Sequence, residues 1–150
     1  MSRRTDVTEE LTADHRRVER LFAAIGEAPV RAKRRKELAD TLTTELMRHS
    51  AAEEAYLYPT VRETVPGGDS LADKELADHA GIEGHLRDLE GYDADHERFD
   101  ALLAVLKAEV AEHVRNEEER LFPRLRRCCS ADRLGGLGDD VRRAKRLAGG

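Results

Sequence analysis

His15 and His49 are 34 residues apart, and so are His79 and His113; moving the first pair forward by 64 residues places it on the second. The same shift of 64 carries Glu53 and Glu54 onto Glu117 and Glu118, and Leu57, Tyr58 and Pro59 onto Leu121, Phe122 and Pro123. Glu19 falls on Glu83. A solvated surface has no physical reason to keep such spacing. Two halves that supply matching groups to one shared centre do have a reason, and it restricts the fold: the halves must face each other across a common core.

The intervening pattern is helical. The first stretch, about residues 8–25, carries Leu11, His15, Val18, Phe22 and Ile25 in steps of four and three, so His15 faces the core. Gly26 and Pro29 end it. The second, about 32–58, carries Leu38, Leu42, Leu46, His49, Glu53 and Tyr56; Pro59, lacking an amide hydrogen, is expected to break or kink it. Pro66-Gly67-Gly68 makes the mid-chain turn. The third, about 70–90, presents Leu76, His79, Ile82 or Glu83, Leu86 and Leu89, with Ser70 and Asp73 as a capping pair and Gly91 as its stop. The fourth, about 95–127, presents Phe99, Leu102, Leu103, Leu106, Val110, His113, Glu117 and Leu121, with Pro123 disturbing it as Pro59 disturbs the second. Residues 130–150 contain Gly135, Gly136 and Gly138 and predict a short, weak terminal helix with frayed ends. Together these predict an all-α fold: an antiparallel up-down-up-down four-helix bundle with a short C-terminal helix. It forms a single domain over 1–150, with its core at about 8–127 and an extension at 128–150.

Charged residues, at 38%, nearly match hydrophobic ones, at 39%, as expected where a small core is wrapped by long polar helix faces. The net charge of -5 argues against a nucleic-acid partner, and the basic run Arg31-Ala-Lys-Arg-Arg-Lys36 is expected to be an exposed helix start. No apolar run is long enough to cross a bilayer. MSRRTDVTEE has no hydrophobic segment behind its arginines, so it is not a secretory signal, and a cytoplasmic location is the expectation. Adjacent Cys128 and Cys129 form no CxxC pair and are read as incidental, reduced residues.

Residues four apart on a helix lie about 40° apart and about 6 Å along its axis. His49 and Glu53 therefore converge on one point in the core, as do His113 and Glu117, while His15 and His79 face them from the other helices. Ionised carboxylates are not buried uncompensated, because desolvation costs several kcal/mol each. A pair of divalent cations resolves that cost; imidazole suits iron, zinc and copper, and carboxylate adds hard-ligand character. His85 and His96 fall off the stripes and are expected at the surface, and Tyr56 and Tyr58 are expected to pack in the core or its rim.

These residues resemble the hemerythrin-like, or HHE, cation-binding family. The resemblance runs from Asp14 to Pro123. It rests on Asp14-His15-Arg16, on His49 through Glu53-Glu54 to Tyr58-Pro59, on Asp78-His79 with Glu83, and on His113 through Glu117-Glu118 to Phe122-Pro123. It implies a non-haem centre of two iron ions with His15, His49, His79 and His113 as terminal ligands and Glu53 and Glu117 as bridging carboxylates. Oxygen-carrying members have a histidine where this chain has Glu83, which is taken as the seventh ligand. Their fourth-helix acid corresponds to Glu118, whereas the HxxxE spacing favours Glu117. A carboxylate in place of an imidazole adds negative charge, which should stabilise ferric iron and weaken reversible oxygen binding. The resemblance thus implies a protein that binds iron and a small ligand such as O2, peroxide or NO for binding, storage or sensing. The alternative is an oxidoreductase that consumes hydrogen peroxide or nitric oxide.

Overall fold

A computed structural model describes residues 4–149; Met1 to Arg3 of the N-terminal stretch, and Gly150, lie outside the described residues. Four antiparallel helical arms form the bundle, and no strand occurs among the described residues. The first arm is α1 (Val7–Glu27), opened by a reciprocal capping box between Asp6 and Glu9. The second is α2 (Lys33–Ala52), which runs through a π-turn (Glu53–Leu57) into α3 (Tyr58–Thr64). The third is α4 (Gly68–Glu90). The fourth is α5 (Glu97–Asn116), which runs through a second π-turn (Glu117–Leu121) into α6 (Phe122–Cys128). Helix α7 (Ala131–Gly149) completes the chain order.

The prolines neither break nor end their arms. In each π-turn the amide hydrogen after the turn, on Tyr58 or Phe122, reaches back five residues to the carbonyl of Glu53 or Glu117. The extra residue accommodates a proline that has no amide hydrogen for an ordinary helical bond. It also rotates the remainder of the arm. In an unbroken α-helix, residues five apart diverge by about 140°. Here Glu53 and Tyr58 both face the core, as do Glu117 and Phe122.

The inward face divides into three layers. Val18, Phe22, Leu42, Leu46, Leu86, Phe99 and Leu106 belong to one apolar cluster. Leu11, Leu57, Val61, Leu121, Phe122 and Leu125 belong to another. Between them lie His15, His49, Glu53, His79, His113 and Glu117, all buried.

Three local expectations change. Helix α4 starts two residues before Ser70, from Gly67 in the left-handed region (φ 73°), and no side chain caps it; Asp73 instead binds Arg62 at 2.6 Å. Arg35, in the basic run expected to be exposed, is only 5% exposed. It donates to the carbonyls of Ile25 and Ala94 and lies 5.0 Å from the centre of the Phe99 ring, closing the loop end of the bundle. The terminal helix is neither short nor weakly held: it spans 19 residues and buries Leu134, Leu137 and Val141 in the second cluster. Gly138 serves close approach. A Cβ on Gly138 would lie 2.5 Å from the Thr5 carbonyl oxygen, where the N-terminal segment crosses.

The α3–α4 corner is equally tight, because a Cβ on Gly68 would lie 2.1 Å from the Val61 carbonyl oxygen. Gly68→Ala is expected to destabilise the fold by on the order of 3 kcal/mol, read by urea unfolding. An unchanged midpoint would show that this backbone approach is not required.

Candidate metal centre

All four arms contribute to the polar layer. Glu53 Oε1 lies 3.3 Å from His49 Nε2, 3.1 Å from His79 Nε2 and 3.9 Å from His113 Nε2. Glu117 Oε1 lies 3.1 Å from His15 Nε2 and 3.6 Å from His113 Nε2. Each carboxylate therefore reaches histidines of both halves. Ligand atoms of His15, His49, Glu53 and Glu117 lie within 4.8 Å of one another, as do those of Glu53, His79 and His113, and those of Glu75, His113 and Glu117. Six of the seven sequence-derived candidates thus converge. Glu83 does not join them: it is half-buried on α4 and its carboxylate lies 3.8 Å from Arg87. An acid that joins the potential donor groups without being a sequence-derived candidate is Glu75, 4% exposed and one turn before His79.

Each of the four candidate histidines turns Nε2 inward and Nδ1 toward an outer carboxylate. His15 Nδ1 is 2.6 Å from Glu118, His49 Nδ1 is 2.9 Å from Asp14, and His79 Nδ1 is 3.0 Å from Glu54. His113 Nδ1 lies 2.9 Å from Glu75 and 3.5 Å from Asp78. The hydrogen-bonded outer partners of His15, His49 and His79 fix the ring and its tautomer and leave the inner nitrogen free to ligate. Asp14 is held in turn by Lys145 of α7 at 2.8 Å, and Glu118 by Arg16.

The electrostatics are those of an anionic cluster holding protons. Burial alone would lower the His49 pKa, but Glu53 and Asp14 raise it to about 10. Burial likewise opposes protonation of His113, yet Glu117, Glu53 and Glu75 raise its pKa to about 12. Burial raises Glu117, and Glu53 beside it adds to this, giving about 7. Glu53 goes the other way: against the cost of burial, His49 and its hydrogen bonds hold it well below the usual carboxylate range. Two adjacent carboxylates cannot both ionise freely, so one is favoured charged and the other carries the penalty.

The donor set fits a metal. His49 Nε2 and Glu53 Oε2 are buried without a hydrogen-bond partner among the described residues. Each is a lone-pair donor facing a shared space, and a cation would satisfy both.

Tyr58 does more than pack, the role its sequence position suggests. Its hydroxyl lies at the centre, 3.2 Å from Glu53 Oε1, 3.0 Å from His79 Nε2 and 3.0 Å from Glu117 Oε2. Burial, then Glu53 and Glu117, raise its pKa well above the ordinary value. The sequence signal is Pro59: a proline tolerated inside a helical arm requires a register change, and that change turns Tyr58 inward. Phe122, its counterpart, stacks on His15 with ring centres 6.1 Å apart. Glu75 leaves no such signal, because the duplication places Leu11 at its equivalent. His85 and His96 behave as expected: His85 is half-exposed beside Glu109, and His96 caps α5 by accepting from the Arg98 amide.

A four-helix bundle with an interior layer of imidazoles and carboxylates, contributed by all four arms, defines a class of helical protein whose core could hold a metal. Residues 6–125 match the Hemerythrin HHE cation binding domain, and the chain belongs to that family. Its fold is similar to the crystal structure of a Hemerythrin HHE cation binding domain-containing protein from Mycobacterium kansasii. That match has 23% identity and a TM-score of 0.84, over 96% of this chain and 88% of the other. No curated protein matches. Helix α7 lies beyond the residues matched to the family. No helix among the described residues is long and apolar enough to cross a membrane.

Proposed function

We propose that the chain holds a pair of non-haem iron ions and admits one small ligand to them, of the class of dioxygen, peroxide or nitric oxide. His15 and His49 would hold one ion and His79 and His113 the other, with Glu53 and Glu117 available to either. When bound, such a pair supplies one-electron redox capacity and an open coordination position.

The observation that carries the ligand class is a cavity of about 20 Å³ lined by all four histidines, with Val18, Leu46, Ile82, Val110 and Val114 as apolar walls. One water needs roughly 10–15 Å³ of such space, so the cavity suits a diatomic-sized guest and not an organic substrate. The apolar walls exclude bulk water. Val18, Val110 and Val114 also line a surface groove of about 350 Å³, which gives a short route inward. The Tyr58 hydroxyl, kept protonated by burial and the carboxylates, is a donor available to an anionic guest.

Glu75 favours a second reading. The surplus negative charge that would stabilise the ferric state, which the sequence suggests for Glu83, is supplied instead by Glu75 beside His113. A centre biased that way is suited to consuming hydrogen peroxide or nitric oxide.

The reduced, iron-loaded chain titrated with nitric oxide under argon is expected to show a saturable change in its visible and electron paramagnetic resonance spectra, lost in His49→Ala. No spectral change in the loaded wild-type chain would refute the reading. Catalytic peroxide turnover, abolished by His113→Ala, would select the second reading over simple ligand binding.

A further inference from the structure

We propose that the cleft between α4 and α5, walled by Asp78, Glu109 and Glu112, is the entry site at which a divalent cation docks before passing to His113. The inference rests on the metal centre proposed above and concerns how that centre is filled.

The duplication supplies an internal control. At the equivalent place in the first half stand Asp14, Glu45 and Arg48, with Arg17 on the adjoining turn. There the acids are neutralised: Arg17 lies 3.1 Å from Glu45 and 3.6 Å from Asp14, and Lys145 reaches Asp14 at 2.8 Å. In the second half Arg17 becomes Gly81 and Arg48 becomes Glu112. One cation is deleted and another is reversed in sign. Among the described residues Glu112 makes no ion pair, Glu109 faces His85, and Asp78 is 3.0 Å from Lys74, which also feels Glu75 and Glu112. A helical surface needs no such asymmetry between otherwise matching halves.

The second observation is buried. His113 is 6% exposed and lines the cleft of about 140 Å³, in which its Nδ1 approaches Asp78 and Glu75 off the line of a hydrogen bond and has no hydrogen-bond partner. Glu75 Oε2, in a residue 4% exposed, is likewise without a hydrogen-bond partner. His113 and Ile82 line both this cleft and the inner cavity, so a cation held here is one side chain from the centre. The cleft has room for a cation that keeps some of its water.

The test mixes the apo chain anaerobically with ferrous ion and quenches at set times with a chromophoric chelator that reads the iron still free. Glu109→Gln with Glu112→Gln is expected to slow uptake about tenfold, within the range of electrostatic steering into a charged cleft. Final iron content and melting temperature should stay unchanged. Glu45→Gln, at the equivalent first-half position, should load at the wild-type rate. Equal rates for the double variant and wild type, or equal slowing by Glu45→Gln, would overturn the route while leaving the centre intact. No uptake by the wild-type chain would overturn the centre and the route together.

Discussion

Glu53→Ala is expected to empty both metal positions, not one. Glu53 Oε1 stands within 3.1–3.9 Å of histidines from α2, α4 and α5, so its removal takes a ligand from both halves at once. Loss of an outer-layer partner typically costs 10–100-fold in metal affinity, and a shared inner carboxylate should exceed about 100-fold. The apo protein should suffer too, because Glu53 is the buried counter-charge for His49 and His79. Removing one member of a buried charged pair costs about 3–5 kcal/mol. Glu83→Ala is the paired control: its carboxylate faces Arg87, and its metal content should match wild type. The ligand assignment would be sunk by the reverse pattern, with Glu83→Ala losing metal and Glu53→Ala keeping it.

The second large effect is on pH. With His49 held at about 10 and His113 at about 12, both carry protons in the apo chain at pH 8. Ligation requires neutral imidazole, so loading must expel those two protons, one for each ion, and the apparent affinity for each ion should rise about tenfold per pH unit near pH 8. The apo chain itself should behave oppositely. A histidine whose folded pKa is raised contributes stability fully below its ordinary 6.5, and that contribution is lost as pH rises toward 10 and beyond. Glu117, raised to about 7, loses its contribution between 4.5 and 7. Glu53, lowered, contributes above 4.5 and loses that contribution as pH falls below it. Apo stability should therefore peak between about 4.5 and 6.5 and decline on the alkaline side, where the metal-loaded chain gains most. Proton release in a lightly buffered dye solution and urea unfolding at pH 6, 8 and 10 read the two effects. Uptake without proton release would contradict the charge assignment of the site.

The bundle and most of the polar layer are legible in the sequence because a helix with a regular apolar stripe reports its own buried face. His15, His49, His79 and His113 fall on such stripes, and the 64-residue repeat ties them to Glu53 and Glu117. The residues that escape lie where regularity fails. Tyr58 is turned inward by a π-turn that constant helical periodicity cannot represent. Glu75 breaks the internal symmetry, whereas Glu83 respects it and so reads as a ligand. The outer carboxylates Glu54 and Glu118 are visible as a repeated pair, but their orienting role depends on which ring nitrogen faces inward. Helix α7 reads as weak because Gly135, Gly136 and Gly138 look like helix breakers; Gly138 lets Thr5 and Asp6 pass against the helix backbone.

The layer of four histidines and two glutamates is proposed to hold two iron ions. The most direct measurement is metal content per chain by inductively coupled plasma mass spectrometry, before and after anaerobic reconstitution with ferrous iron. About two irons per chain, falling to background in Glu53→Ala, is the result the account predicts. Substoichiometric iron that reconstitution does not raise would contradict it.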